Sequence, residues 1–450
     1  MLCFARWVAH FSVLALGLFL PGAVAAPAVG PNVILILADD LAVGDLAAFN
    51  GGRTRTPNLD RLVAEGIWFN AAYSASAVCA PARAALLTGR YPHRTGVVSL
   101  DLNREPALTQ LHRDEVTLAD VYAANGYVTG LVGKWHIGRG ADWHPLRRGF
   151  AEFEGFFGSD AMTYNRYTLD VAGVKHEVTD RYLTDDLSER AVAFVRRHRD
   201  RPFFLHLAHY APHRPLGAPS EVIDRYLKMG CDQNMATIYA MIEIMDRGIG
   251  ELLAELDRLD LRRNTLIIFT SDNGPDPIPG PRFNFGLRGM KYEITEGGIR
   301  VPLVFNWPAR FPAGERDAVA HFTDFFPTLV DLGQLKVPAT AKPRDGVSLG
   351  PVLAGSADRT TAMRFWQWNR SVPRYSHNAA LRAGPWKLVR PFVTRAVPPG
   401  ESDAAPVLYH IASDPLETTD LAAQHPARYE RMKAALERLS REVERERTRP

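Results

Sequence analysis

The feature that most constrains the fold is a set of four short, largely apolar runs, each of which ends in polar residues. The runs are residues 33–37, 127–132, 203–208 and 266–269. Such runs are typical of strands buried on both faces, as in a parallel sheet. Segments with helical spacing alternate with these runs, at residues 58–64, 118–124, 182–199 and 235–259. The alternation predicts an α/β fold with a large, doubly wound, mixed but mostly parallel sheet flanked by helices.

The pattern of apolar runs changes after about residue 345. Residues 365–392 read as short strands interrupted by proline and glycine, and the charged residues 435–446 read as a helix. We therefore predict a large α/β domain over residues 27–345 and a smaller C-terminal α+β subdomain over residues 346–450. The smaller unit is expected to carry an antiparallel sheet and a terminal helix.

The first 25 residues have the layout of an export signal. Arg6 gives a positive start, residues 11–20 are apolar, and Ala23-Val24-Ala25 gives the small-x-small cleavage pattern. An uncleaved membrane anchor is the alternative, but the apolar stretch is shorter than the roughly 20 residues that a spanning helix needs. We predict a secreted or periplasmic protein with no membrane span after signal cleavage. The net charge of only +3 does not indicate nucleic-acid binding.

Oxygen-donor side chains follow the first and the last of the four runs. Asp39 and Asp40 follow the first run, and Asp272 and Asn273 follow the last. Ligands of such folds bind beyond the carboxyl ends of the strands, so these side chains are expected to meet. Three carboxylates and an amide suit a hard divalent cation, Ca²⁺ or Mg²⁺, better than zinc. A turn or a helix cap is the alternative for an isolated Asp-Asp pair.

Cys79 lies at the start of a predicted helix. Pro81 favours the first helical turn, and Arg83 lies within the same turn. Free backbone N–H groups at a helix start favour an anion or developing negative charge. A structural cysteine, a thiolate nucleophile and a disulfide with Cys231 are all compatible with this position, since Cys3 leaves with the signal. A thiolate is, however, a poor chemical match for a hard cation.

The segment Cys79-Ala80-Pro81-Ala82-Arg83 resembles the C-x-P-x-R signature of the type I, formylglycine-dependent sulfatases of the alkaline phosphatase superfamily. Both variable positions hold alanine, where many relatives carry a hydroxyl residue. Further motifs of that family follow in its order along nearly the whole mature chain. They are found at residues 39–45, 87–90, 133–136, 211–213, 270–274, 289–302 and 408–421.

The resemblance implies that Cys79 is oxidised to formylglycine by a formylglycine-generating enzyme. The aldehyde hydrates to a gem-diol, which is an oxygen nucleophile and also a metal ligand. The other implied ligands are Asp39, Asp40, Asp272 and Asn273, and the implied metal is Ca²⁺, with Mg²⁺ possible. An oxygen nucleophile removes the mismatch between a thiolate and a hard cation.

The resemblance also implies roles for five cationic or titratable groups. Arg83, Lys134 and Lys291 would stabilise the negative charge of a sulfate ester. His213, with Lys291, would protonate the leaving alcohol. His136 would take a proton from the second hydroxyl of the gem-diol, so that inorganic sulfate leaves. The implied activity is release of sulfate from a sulfated carbohydrate or an aryl sulfate.

Two features that bear on the substrate stay open at this stage. Ser159 and Thr163 are both candidates for the hydroxyl contact to sulfate that some relatives have. A C-terminal segment rich in aromatic and basic residues is compatible either with contacts to a sugar ring or a second anionic group, or with packing between the two domains. Its residues are Trp366, Trp368, Arg370, Tyr375 and His377.

Three other functions are alternatives to the sulfatase interpretation. A phosphonate monoester or phosphodiester hydrolase on the same fold can share the nucleophile and the metal. A non-catalytic binder of sulfated glycans would be expected to lack some site groups, and none is missing here. A zinc phosphatase of the wider superfamily would need more His and Asp ligands and a Ser or Thr at position 79.

Overall fold

The computed structural model describes residues 30–158, 163–278, 280, 282–360, 362–391 and 404–448. The predicted export signal, residues 1–25, lies outside these residues. So does Ser159, one of the two hydroxyl candidates.

A ten-stranded mixed sheet forms the centre of the larger part of the molecule. Its strands are β1 (Asn32–Ala38), β2 (Ile67–Tyr73), β3 (Val128–Lys134), β4 (Glu152–Phe156), β5 (Tyr167–Val171), β6 (Val174–Val178), β7 (Phe203–Ala208), β8 (Thr265–Ser271), β9 (Leu303–Asn306) and β10 (Gly314–His321). Their order across the sheet is β10-β2-β9-β8-β1-β7-β3-β4-β5-β6. The four predicted runs are β1, β3, β7 and β8, which are parallel neighbours at its centre. Pairing is antiparallel only on either side of β9 and of β5.

Helices cover both faces of this sheet. The helices of the described residues are α1 (Ala47–Asn50), α2 (Pro57–Glu65), α3 (Cys79–Thr88), α4 (Pro92–Thr95), α5 (Leu118–Ala124), α6 (Leu183–Arg197), α7 (Ser220–Lys228), α8 (Gln233–Arg258), α9 (Glu296–Ile299), α10 (Phe325–Gly333), α11 (Gly350–Leu353) and α12 (Pro426–Arg447). None of them is both long and apolar enough to cross a bilayer. The predicted helices are all present. Four of them end within two residues of the prediction, whereas the terminal helix α12 begins nine residues before its predicted start at residue 435. For example, α8 begins two residues before the predicted start because the Asp232 side chain caps it by accepting from the Met235 N–H.

The alternation of side chains along β1 explains the two layers. Val33, Leu35 and Leu37 belong to a core shared with α3, α5 and α10. Ile34 and Ile36 belong to a second core, shared with α6 and α8 on the opposite face. Because successive side chains of a strand point to opposite faces, an uninterrupted apolar run is buried only when both faces are covered. The predicted doubly wound α/β fold is thus confirmed.

The C-terminal part carries a second sheet. Four antiparallel strands, β11 (Arg364–Gln367), β12 (Ala379–Ala383), β13 (Trp386–Arg390) and β14 (Val407–His410), pair in chain order, and α12 packs against them. Trp366 on β11 is fully buried, and its Nε1–H donates to the Ser74 carbonyl at 2.7 Å. For Trp366, the packing alternative is therefore the correct one.

We predict that His93 makes stability depend on pH. His93 on α4 lies with Nε2 2.7 Å from Gln367 Oε1, and burial lowers its pKa to about 4. Below about pH 6.5 the unfolded chain binds a proton at His93, whereas the folded protein binds it only near pH 4. The free energy of unfolding therefore decreases as the pH falls from about 6.5 to about 4. Between about pH 7 and pH 5 this one group costs about 2 kcal/mol.

Urea unfolding at both pH values tests this prediction on wild type and on His93→Gln. Glutamine keeps a polar contact to Gln367 but does not titrate. The variant should therefore lose about 2 kcal/mol less stability than wild type over this interval. Equal losses in the two proteins would contradict the assignment.

Candidate active site

The carboxyl ends of β1 and β8 bring the predicted oxygen donors together. Ala38 pairs with Ser271 in the parallel register, so the next residues of both strands meet at one edge of the sheet. The Asp272 N–H donates to the Ala38 carbonyl at 3.1 Å, and the Asp40 N–H lies 3.2 Å from Asp272 Oδ1. The side chains that follow both strands are buried.

This cluster has the donors of a cation site. One ligand atom from each of Asp39, Asp40, Asp272 and Cys79 lies within 4.8 Å of every other. Asn273 donates through Nδ2 to Asp40 Oδ1 at 2.6 Å, and its own Oδ1 is buried with no hydrogen-bond donor from the part of the chain that the structure describes. A buried acceptor without a partner is costly, and a cation beside it would satisfy it. The residues present therefore fit a hard divalent cation such as Ca²⁺ or Mg²⁺.

Three buried cations face the three carboxylates. Lys134 Nζ lies 2.5 Å from Asp39 Oδ2, and Lys291 Nζ lies 2.7 Å from Asp40 Oδ2. Arg83 Nη2 lies 2.7 Å from Asp272 Oδ2 and 3.3 Å from Asp39 Oδ2. The charges of the three carboxylates and the three cations balance, so a bound divalent cation would leave the pocket positive and ready for an anionic group.

The electrostatics differ between the carboxylates. Burial alone would raise the pKa of Asp39, but Lys134, His213 and Arg83 hold it well below its usual value. By contrast, burial and the charge of Asp39 raise the pKa of Asp272 to about 7, although Arg83 lies against it. The negative charge of Asp272 is therefore the least stabilised of the three, and a cation bound beside it would stabilise it.

Cys79 is the first residue of α3 and faces the carboxylates. Its Sγ lies 3.4 Å from Asp39 Oδ1, and the side chain is buried. Burial and the charges of Asp272 and Asp39 raise the pKa of the Cys79 thiol well above its usual value. An unmodified Cys79 is therefore a neutral thiol, which disfavours the thiolate nucleophile. The disulfide alternative is wrong for this structure, because Cys79 and Cys231 are both free.

The two predicted histidines each present one nitrogen to the site. His213 Nδ1 lies 2.5 Å from the Arg214 carbonyl, so Nδ1 carries the hydrogen, and its Nε2 lies 3.7 Å from Asp40 Oδ2. His136 donates through Nε2 to the Leu100 carbonyl at 2.9 Å, which leaves Nδ1 buried and without a partner among the described residues. Burial, together with nearby lysines, lowers the pKa of His213 to about 3 and lowers that of His136 well below its usual value.

The backbone explains why glycine precedes Lys134. Gly133 has φ +105°, and a Cβ at this position would lie 2.0 Å from the Ala208 carbonyl oxygen. Only glycine allows β3 to run this close to β7 as it delivers Lys134 and His136 to the site.

Sequence reasoning missed Arg282. This buried side chain donates through Nη2 to the Asp40 carbonyl at 2.6 Å, and its Nη1 lies 3.3 Å from Asp45 Oδ2. It thereby fixes the loop that carries Asp39 and Asp40. The predicted hydroxyl candidate Thr163, by contrast, is exposed and donates to the Arg166 carbonyl at 3.1 Å.

Comparison with known proteins gives one consistent result. The family model described as Sulfatase matches residues 31–335. N-acetylgalactosamine-6-sulfatase of Canis lupus familiaris is 32% identical over 89% of this chain and 83% of that protein, and arylsulfatase A of Bos taurus is 32% identical over 87% and 80%. The crystal structure of Ps i-CgsB in complex with k-i-k-neocarrahexaose superimposes with a TM-score of 0.80, at 32% identity, over 91% of this chain and 93% of that one.

Proposed function

The chain belongs to the sulfatase family, within the alkaline phosphatase superfamily, and we propose that it releases inorganic sulfate from a sulfated carbohydrate, using a formylglycine formed at Cys79 and a bound Ca²⁺ or Mg²⁺. One observation carries the proposal. The Cys79 side chain and the unpartnered Asn273 Oδ1 share one buried pocket with three carboxylates and three cations. The choice of a carbohydrate follows from the N-acetylgalactosamine-6-sulfatase among the similar proteins and from the neocarrahexaose bound in one similar structure.

Two groups that the family uses would complete this pocket. A divalent cation held by Asp39, Asp40, Asp272, Asn273 and the residue at position 79 would neutralise charge on the ester and on the nucleophile. A hydrated formylglycine would supply one oxygen for attack on sulfur and a second hydroxyl that allows sulfate to be expelled as the aldehyde reforms.

The protein's own cations bind and orient the sulfate group. Arg83, Lys134 and Lys291 are buried, and each is held by a carboxylate at 2.5–2.7 Å. Side chains fixed in this way need no rearrangement when negative charge develops on the sulfate oxygens, which is the condition for strong electrostatic stabilisation. The same fixed charges favour an anion over a neutral group in the pocket.

Histidines on two sides of the pocket would transfer protons. The Lys291 ammonium carries protons next to His213, so this pair would protonate the leaving alcohol. On the other side, the unpartnered Nδ1 of His136 is a ready acceptor for the hydroxyl proton at position 79. Acid and base thus lie on separate elements, after β7 and after β3.

The proposal includes maturation and export. A formylglycine-generating enzyme would act on residues 79–83 before α3 is buried, since Cys79 is inaccessible in the folded protein. Cleavage of residues 1–25 would then release a secreted or periplasmic enzyme.

The test compares two monoanionic esters that share the same leaving group, 4-nitrophenol. For protein purified from its own host, we expect a higher kcat/KM for 4-nitrophenyl sulfate than for methyl 4-nitrophenyl phosphate. We also expect EDTA to abolish the activity and Ca²⁺ or Mg²⁺ to restore it, because the cation would neutralise charge at the reacting group. Preference for the phosphodiester would instead assign a phosphodiester hydrolase. Binding of sulfated glycans without turnover of either ester would assign a non-catalytic binder.

A further inference from the structure

A small aromatic platform lies at the rim of the pocket. Tyr292 follows Lys291 directly and packs against Trp368, with ring centroids 5.5 Å apart. Val78 and Leu100 complete this cluster. Val78 precedes Cys79, and the Leu100 carbonyl accepts from His136, so the platform borders three sides of the site.

The backbone holds Tyr292 firmly in place. Its φ is +84°, which is unusual for a residue with a large side chain. Its N–H donates to the Ala77 carbonyl at 2.9 Å, and its carbonyl accepts from Asn378 Nδ2 at 2.8 Å. Such a conformation persists only where the surroundings enforce it, so the platform is a fixed feature of the rim.

Two arginines converge on the Tyr292 ring. Arg214 donates through Nη2 to the Tyr292 hydroxyl at 2.9 Å, and the Arg370 guanidinium lies 5.8 Å from the ring centroid. Arg214 has Asp276 as a counter-charge at 3.5 Å. Arg370 is exposed and has no carboxylate of the described residues within ion-pair distance, so its charge is available to a ligand.

A second observation points to a ligand at this platform. The Trp368 side chain is only 4% exposed, and its Nε1–H finds no acceptor among the described residues. A buried donor without a partner is costly, and an oxygen of a bound anion could satisfy it. The Trp368 indole and the Arg370 guanidinium lie on the same segment, two residues apart, beside the same tyrosine.

We propose that Arg370, Tyr292 and Trp368 form a second anion-binding site, which holds a carboxylate or a further sulfate ester on the same substrate as the ester being cleaved. This inference rests on the proposed function and deepens it. The substrate would be a polyanionic sugar, and not a singly charged aryl sulfate. Arg370 supplies a planar fork for the anion, Tyr292 lies beside that guanidinium, and the Trp368 indole N–H supplies a further donor.

The experiment measures kcat and KM for three probes that share one scissile ester. They are N-acetylgalactosamine 6-sulfate, the same sugar carrying a second sulfate, and the same sugar linked to a uronic acid. Arg370→Ala should raise KM by about tenfold for at least one dianionic probe, since a charge-assisted hydrogen bond is lost. It should leave kcat, and both constants for the monoanionic probe, within about twofold.

Controls separate this site from general electrostatics. Arg370→Lys keeps the charge without the fork and should fall between wild type and the alanine variant. Arg359→Ala removes one exposed positive charge, with a side chain 83% exposed, and should change none of the constants. Loss confined to the disulfated or to the uronate probe identifies the anion as sulfate or carboxylate.

Two outcomes would count against the inference and are distinguishable. If wild type releases sulfate but Arg370→Ala affects all probes equally or not at all, the second anion site is wrong and the proposed function stands. If mature wild type releases sulfate from no probe and from no aryl sulfate, the proposed function itself fails.

Discussion

Replacing Cys79 by serine should lower the rate of sulfate release by about 10⁴-fold or more, the scale of effect seen when an enzyme loses its nucleophile. Serine fits the space of the buried cysteine and retains an oxygen near the carboxylates. It has only one hydroxyl, however. Even if that hydroxyl attacked sulfur, no second hydroxyl would remain to expel the sulfate, so turnover should stop.

The matched control is Cys231→Ser, which changes the other cysteine of the described residues. Cys231 is half-buried at the turn before α8, so its variant should keep full activity. Both variants should unfold at the wild-type urea concentration, which would exclude a folding defect as the cause. An active Cys79→Ser protein would contradict the role assigned to position 79.

Mass spectrometry gives an independent reading of the same residue. Trypsin should release residues 62–83, since no Lys or Arg lies between Arg61 and Arg83. We expect this peptide from the native host to carry an aldehyde in place of the Cys79 thiol. An intact thiol would mean that the protein, as its host makes it, lacks the proposed nucleophile.

The central sheet and most of the candidate site could be predicted because they depend on local patterns. The apolar runs of β1 and β8 indicate the fold class, and parallel strands end at a common edge, so the pattern predicts that Asp39 and Asp272 meet. His136 and His213 could not be found this way, because a histidine has no pattern of its own. Only their motif context distinguished them from the other histidines.

What could not be predicted depends on contacts between distant segments. Arg282 lies 242 residues from Asp40, and nothing around it in the sequence marks it as buried. The aromatic C-terminal segment shows the same limit. Trp366 packs within the core, whereas Trp368, two residues later, lies beside Tyr292 at the site. Strand β11 ends at Gln367, so Trp368 lies beyond it, and the sequence around the two tryptophans does not show which segments each one meets.

The C-terminal sheet also reaches the site through a buried ion network. Lys387 Nζ on β13 lies 2.9 Å from Glu296 Oε1 and 2.9 Å from Glu417 Oε1, and all three side chains are fully buried. Glu417 accepts from the Glu296 N–H at 2.8 Å, and its carbonyl accepts from Arg288 Nη1 at 3.1 Å. These contacts fasten both ends of the segment that carries Lys291.

Lys387→Met should therefore destabilise the protein by about 3–5 kcal/mol, because it removes the lysine that two buried carboxylates share and leaves Glu296 only the more distant Arg300, at 4.0 Å, among the described cations. It should also lower kcat/KM for sulfate esters in the folded protein, since Lys291 loses its support. Urea unfolding measures the first effect, and kinetics well below the unfolding transition measure the second. The exposed Lys228→Met is the matched control, and its stability should change by less than about 0.5 kcal/mol.

A milder variant distinguishes loss of charge balance from loss of contact. Glu417→Gln removes one of two carboxylates that share a single lysine, so Lys387 keeps Glu296 as its partner. Burial already raises the pKa of Glu417, which means that the folded protein disfavours the ionised form of this side chain. We expect this variant to lose only about 1 kcal/mol. Equal destabilisation by Lys387→Met and Glu417→Gln would show that shape, and not the uncompensated charge, holds the Lys291 segment in place.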